Sequence, residues 1–212
     1  MFYAVFTHDD QHSRFVYAIT CAWCFAVLAA PERAITAAAV SMTDKVQLNF
    51  RDYNHFERIV LIHDTVMGGR SSGTVIRHND DAVLFTGNLS LENNGGFASA
   101  EFKLLNPITA VKSTQLILNA KPDNRTYQLR LKTALIPQGV AYVAEFSAGN
   151  GQQTFVFTPD DFSGRYRGNP VLNLPPLHFS DISHVSIMLA DKTPGPFQIA
   201  LYSLSFNLLP PD

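Results

Sequence analysis

From residue 47 onward, apolar side chains recur at every second position. That is the period of a strand with one face buried and the other wet. Residues 127–132 show it most plainly, with Tyr127, Leu129 and Leu131 alternating with Gln128, Arg130 and Lys132. The same pattern predicts strands over residues 47–50, 59–63, 74–77, 82–86, 97–104, 115–119, 140–146, 154–158, 185–190 and 197–206. Between them stand Asn93-Asn94-Gly95-Gly96, Pro122-Asp123-Asn124, Gly149-Asn150-Gly151 and Pro194-Gly195-Pro196, all of them turn chemistry. Short strands punctuated in this way predict an all-β, antiparallel sandwich or barrel. One short helix is expected over residues 52–58, too little for a β/α/β crossover fold. Residues 170–176, bounded by prolines, are expected as a loop or an edge segment.

Composition narrows the picture further. The chain has 212 residues, 46% of them apolar, enough for a substantial core. Its formal charge of -2 leaves no basic excess to draw the whole chain onto nucleic acid, so no nucleic-acid partner is expected. Cys21, Cys24 and Trp23 all fall in residues 1–41. Residues 42–212, read as a single domain, therefore hold no disulfide, no Cys-ligated zinc and no thiol nucleophile. Residues 15–30 are an apolar run broken by Thr20, long enough for a signal-peptide core and short for a membrane span of about 20 residues. The flanking charges, Asp9 and Asp10 against Arg14, suit neither a secretory nor a transit peptide well. Residues 1–41 thus read as a signal or anchor, as a transit peptide, or as a segment preceding a true start at Met42. A start at Met42 implies a cytoplasmic protein. A retained run implies export or an anchor, with membrane contact only through residues 15–30.

Several candidate chemistries can be weighed by context. Gly69-Arg70-Ser71-Ser72-Gly73 matches the G-x-S-x-G nucleophile pattern, but it leads into a strand where that elbow requires a helix. A glycine-bearing turn is the expected reading. His55, His63, His78, His178 and His184 show no H-x-H or H-E-x-x-H spacing. Hence no catalytic residue, metal site or cofactor is expected. The polar stripe Gln128, Arg130 and Lys132, with Glu145 on the next strand-like segment, is either a salt-bridged outer face or a ligand-facing surface suited to a carbohydrate.

Two longer stretches carry a resemblance: Asp64-Thr65-Val66-Met67-Gly68-Gly69-Arg70-Ser71-Ser72-Gly73, and Phe85-Thr86-Gly87-Asn88-Leu89-Ser90-Leu91-Glu92-Asn93-Asn94-Gly95-Gly96-Phe97-Ala98-Ser99. In that order they resemble the complex I intermediate-associated protein 30 family. Residues 127–131, Phe162 with Arg165 and Gly168, and Gly195-Pro196-Phe197 are similar to later family landmarks, so the resemblance covers residues 48–206. A tryptophan often found before the first motif is replaced here by Ile59, Val60 or Leu61. The resemblance implies a galactose-binding-like jelly roll. It also implies a non-enzymatic, chaperone-like assembly protein that holds unfolded or partly assembled subunits of NADH:ubiquinone oxidoreductase. Related sandwiches are carbohydrate-binding modules, which makes a sugar the competing ligand.

Within the two motifs, Gly68, Gly69, Gly95 and Gly96 let two tight turns approach closely. Asp64, Arg70, Ser71, Asn93 and Asn94 supply polar groups that either knit the turns together or meet a partner. Met67 is an adaptable apolar side chain, suited to recognition at a loop tip or to plugging the end of the core. These ten residues are the candidate partner-binding surface. The face around Gln128, Arg130, Lys132 and Glu145 is the candidate sugar surface.

Overall fold

Burial follows the sequence period. On the strand Tyr127–Thr133, Tyr127, Leu129, Leu131 and Thr133 are buried while Gln128, Arg130 and Lys132 are half-buried. The structure, a computed structural model, describes residues 45–78, 81–108, 113–147, 149 and 151–208. Residues 15–30, Met42 and the readings attached to them lie outside the described residues.

Two antiparallel sheets pack face to face. Their strands are β1 (Lys45–Asn49), β2 (Phe56–His63), β3 (Ser72–Arg77), β4 (Val83–Leu89), β5 (Ala98–Leu104), β6 (Ser113–Pro122) and β7 (Tyr127–Thr133). The chain continues through β8 (Val140–Phe146), β9 (Gln153–Phe157), β10 (Ser163–Tyr166), β11 (Asn169–Pro170), β12 (Ile182–Leu189) and β13 (Gly195–Leu208). The first sheet runs β3-β4-β13-β6-β9. Its long strand β13 pairs with β4 along residues 195–201 and with β1 along residues 203–207. The second sheet runs β11-β10-β8-β7-β12-β5-β2. This is the all-β jelly-roll sandwich, galactose-binding-like in type, that the alternation and the motifs lead one to expect.

The inner faces meet in a core rich in phenylalanine. Phe50 stacks on Phe56 at 5.8 Å and meets the edge of Phe102 at 4.9 Å. A second run passes from Phe146 through Phe157, Phe162 and Phe179 to Phe206. Such pairs add roughly 0.5–1.5 kcal/mol each beyond the area they bury.

The helix expected over residues 52–58 is absent. The Asn54 N–H donates to the Asp52 side chain (2.9 Å) and the His55 N–H to its carbonyl (3.1 Å), closing one 3-10 turn at Tyr53–His55. Phe56 then enters the core and opens a strand. Short-range Asx chemistry thus wins over a weak helical pattern. Strands β10 and β11 were not expected, because Ser163-Gly164-Arg165-Tyr166 carries no apolar alternation. They form an edge because the following segment folds back: the Val171 N–H donates to the Gly164 carbonyl at 2.9 Å. A Cβ on Gly164 would meet the Val171 carbonyl oxygen at 2.6 Å, so glycine is needed for the approach. Pro170 lies in the outermost strand, where a missing N–H costs no ladder bond.

Candidate functional site

One end of the sandwich gathers the motif loops. β2 ends at His63, and Asp64 opens a 3-10 turn, Asp64–Met67, that closes at Gly68. Gly68 has φ 87°, a left-handed conformation that suits glycine, and its N–H donates to the Thr65 carbonyl at 3.1 Å. The Asp64 side chain then turns inward and is fully buried. Its Oδ1 accepts the Ser71 N–H at 2.8 Å, and its Oδ2 accepts the Ser71 hydroxyl at 2.5 Å, the Gly96 N–H at 2.6 Å and the Phe97 N–H at 3.3 Å. The Ser71 oxygen in turn accepts the Ser90 N–H at 3.0 Å.

A single carboxylate thus ties the end of β2, the start of β3 and the loop between β4 and β5, strands that belong to both sheets. The paired glycines make room for it. A Cβ on Gly69 would meet Asp64 Cγ at 2.4 Å, and one on Gly95 would meet Asp64 Oδ2 at 2.5 Å. Burial alone would raise the Asp64 pKa. The Ser71 hydroxyl and the N–H groups of Gly96, Ser71 and Phe97 outweigh burial and hold its carboxyl below the usual carboxylate range.

A second knot stands at the same end. Arg125 donates through Nε and Nη2 to both oxygens of Asp191, at 2.9 and 2.7 Å, and also to the carbonyls of Thr193 and Pro196. This forked pair is largely buried and clamps the loop before β7 to the loop before β13. Burial opposes ionisation of Asp191 as well, but Arg125 pulls its carboxyl below the ordinary range. The landmark Gly195-Pro196-Phe197, the start of β13, therefore lies at the same end of the sandwich.

The depressed carboxyls fix the sign of the pH response. With both folded pKa values below the unfolded one, near 3.9, the folded state binds fewer protons through that range. Stability from these groups is then complete above about pH 4–5 and is lost as pH falls through the folded values. Urea midpoints measured from pH 6 down to pH 2 should fall for the wild type. The fall should be shallower for Asp191→Asn, whose starting stability is lower.

Around the buried knot, other motif residues face outward. Val66 and Met67 are 72% and 59% exposed, and Leu91 on the neighbouring loop is 41% exposed. Arg70 pairs with Glu92 across the two loops at 3.1 Å, with both side chains largely in water. Asn93 donates to the Gly68 carbonyl at 2.9 Å, and Asn93 and Asn94 both take positive φ, 54° and 61°. Asp64 and Ser71 are buried and bonded to each other, the arrangement of the first alternative, in which these side chains knit the turns together. Gly69, Gly95 and Gly96 line that interior, leaving Met67, Gly68, Arg70, Asn93 and Asn94 on the outside, joined by Val66. In the G-x-S-x-G stretch the Ser71 hydroxyl is bonded to Asp64 and Ser90, and Ser72 opens β3 rather than a helix.

The alternative face is assembled as the alternation implies. Gln128, Arg130 and Lys132 point away from the core on β7, and Glu145 lies opposite Gln128 on β8. Gln128 donates to Glu145 at 3.2 Å and Arg130 to Gln128 at 3.1 Å. Lys132 donates instead to Glu101 of β5, at 2.5 Å, across the intervening strand β12. Burial pushes the Arg130 pKa down, with Glu101 opposing. Tyr127 faces the core and its hydroxyl donates to Asp123 at 2.9 Å, so it offers this face no ring.

Among the described residues no cluster of three His, Cys, Asp or Glu could hold a metal ion, and no helix is long and apolar enough to cross a membrane. Two clefts of about 500 and 490 Å³ lie elsewhere. One is bounded by Gln47, Asn49, Asp52 and Tyr202, the other by Phe162, Arg165, Leu172 and Leu177, and neither reaches the motif loops.

Fold and site together define a galactose-binding-like jelly roll whose two signature loops are locked to each other by a buried aspartate. The chain belongs to the Complex I intermediate-associated protein 30 family, whose model matches residues 48–201. Among solved structures it is similar to a family 11 carbohydrate-binding module from Clostridium thermocellum in complex with a β-1,3-1,4-mixed-linked tetrasaccharide. That match has 12% identity and a TM-score of 0.53, over 77% of this chain and 95% of that one. The family 11 module of the cellulosomal cellulase Lic26A-Cel5E of Clostridium thermocellum matches at 12% identity and a TM-score of 0.54, over 80% and 97% of the two chains. At such identity the likeness is one of fold. No curated protein matches the chain.

Proposed function

We propose that this chain is a non-enzymatic assembly protein that docks partly assembled or unfolded subunits of NADH:ubiquinone oxidoreductase on the loop end of its sandwich. Membership of the family supports the class of partner. The observation that carries the surface is the turn Asp64–Met67, which holds Val66 and Met67 out in water while its first residue is bonded from four sides. Exposed apolar side chains on a pre-organised loop lose little entropy on docking, and methionine adapts to varied surfaces. The commitment of Ser71 to Asp64 and Ser90 supports binding without catalysis. Native affinity capture with quantitative mass spectrometry should enrich respiratory-complex subunits with the wild-type chain. Enrichment of none of them would refute the reading.

A second reading, sugar binding on the outer face of the seven-stranded sheet, is favoured by one observation. Gln128, Arg130, Lys132 and Glu145 do share one solvent-facing surface with Glu101, on a sandwich whose fold is similar to a module solved with a bound tetrasaccharide.

A further inference from the structure

The cross-strand registers of the seven-stranded sheet line up basic side chains that are far apart in sequence. Arg58 of β2 faces Lys103 of β5, Lys103 faces His184 of β12, and His184 faces Lys132 of β7. Leu131 pairs with Tyr142, which sets Lys132 beside Ala141, and Ala141 pairs with Arg165 of β10. The result is a basic row crossing the strands at steps of about 4.8 Å, with Arg130 one row over between Ser186 and Val143.

Like charges placed opposite one another destabilise a sheet, and the carboxylates of this face compensate only part of the row. Glu57 pairs with Lys103 and Glu101 with Lys132, each at 2.5 Å. Arg58 and Arg165 have no carboxylate of the described residues within ion-pair distance, and Arg130 donates to the neutral Gln128 oxygen. Burial, and then Lys132, Lys103 and Arg58, hold the His184 imidazole below its ordinary pKa against the pull of Glu101. The chain as a whole carries a formal charge of -2, so this concentration is local to one face.

The other side chains of the face select the ligand class. Its strands turn Phe56, Phe102, Tyr127, Tyr142 and Phe146 toward the core. Tyr166 of β10, though 41% exposed, alternates to the side opposite Arg165 with Arg167 over its ring, so among the described residues the row offers no stacking platform for a neutral sugar or a nucleobase. Dense charge without an aromatic anchor is also unlike the centre of a protein interface. Guanidinium and ammonium groups in a row suit regularly spaced carboxylates, and Gln128 and Glu145 beside them suit hydroxyls.

We propose that the outer face of the seven-stranded sheet binds an acidic glycan whose units carry carboxylates, laid across the strands along the Arg58–Lys103–Lys132–Arg165 row. The proposal rests on the sugar-binding reading of this face and specifies its ligand. The test uses calorimetric titration of the full chain with oligogalacturonate, with neutral β-1,3-1,4-glucan and with polyglutamate. Oligogalacturonate should bind, more weakly as salt rises, and better than the other two. The double variant Arg58→Gln/Arg165→Gln, which breaks no ion pair among the described residues, should lose at least about tenfold in affinity, or 1.4 kcal/mol, with its melting temperature unchanged. Should that variant melt early, Arg130→Gln serves in its place with the same expected loss. Equal or tighter binding of neutral glucan would overturn the acidic specificity and leave the sugar reading standing, whereas binding of neither glycan would remove both. Polyglutamate bound as tightly as oligogalacturonate would make the face a receptor for acidic polypeptide and overturn the proposal, as would unchanged affinity in the variant.

Discussion

Asp64→Ala should lose about 3–5 kcal/mol of folding stability, a large share of what a domain of this size holds. The substitution removes one buried side chain and strands the donors it satisfied: the N–H groups of Ser71, Gly96 and Phe97 and the Ser71 hydroxyl. Each buried donor left unpaired costs about 1–3 kcal/mol, and the loops relax enough to recover part of that. Asp64→Asn should fall between wild type and Ala. It keeps the shape and one acceptor oxygen, but sets an amide against backbone N–H groups. Urea denaturation at pH 7 reads both values. A loss below about 1 kcal/mol for Ala would mean that the loops hold together without their carboxylate, contrary to the bond network.

The second large effect is on binding with the fold left intact. Val66→Ser/Met67→Ser should weaken capture of the respiratory partner at least about tenfold, the scale of removing central apolar anchors from an interface. The melting temperature should stay within about 2 °C of the wild type. The two side chains project into water, 72% and 59% exposed, so truncating them opens no cavity in the core. Arg70→Ala should matter less, because its ion pair with Glu92 is exposed at both ends.

The contrast between these variants bears on what a sequence can show. The alternation of Tyr127, Leu129 and Leu131 is a local signal, and the strands follow from it because the side-chain period is a property of the backbone. β10 and β11 escaped because Gly164 and Pro170 give no such period; a segment folding back onto the chain makes the edge instead. The motif loops were legible as a site, but the inward turn of Asp64 was not. Its partners, Gly96 and Phe97, lie 32 and 33 positions away and meet it only once strands of both sheets are in place. The outer face was legible as Gln128, Arg130, Lys132 and Glu145. Glu101, Lys103 and His184 were missed because strand order places β12 between β5 and β7, and pairing between distant segments leaves no trace in either one. Outward positions 101 and 103 could be read from the alternation of residues 98–104, though not what they would face.

A buried aspartate shapes the loop end, and the exposed apolar tip beside it is the surface proposed for docking. The most direct measurement places a photo-crosslinking residue at position 67 and, in a separate protein, at position 172, which is 80% exposed in the other cleft wall. After irradiation in native extract, position 67 should yield adducts with respiratory-complex subunits and position 172 should not. Adducts from position 172 with none from position 67 would contradict the assignment of the docking surface to these loops.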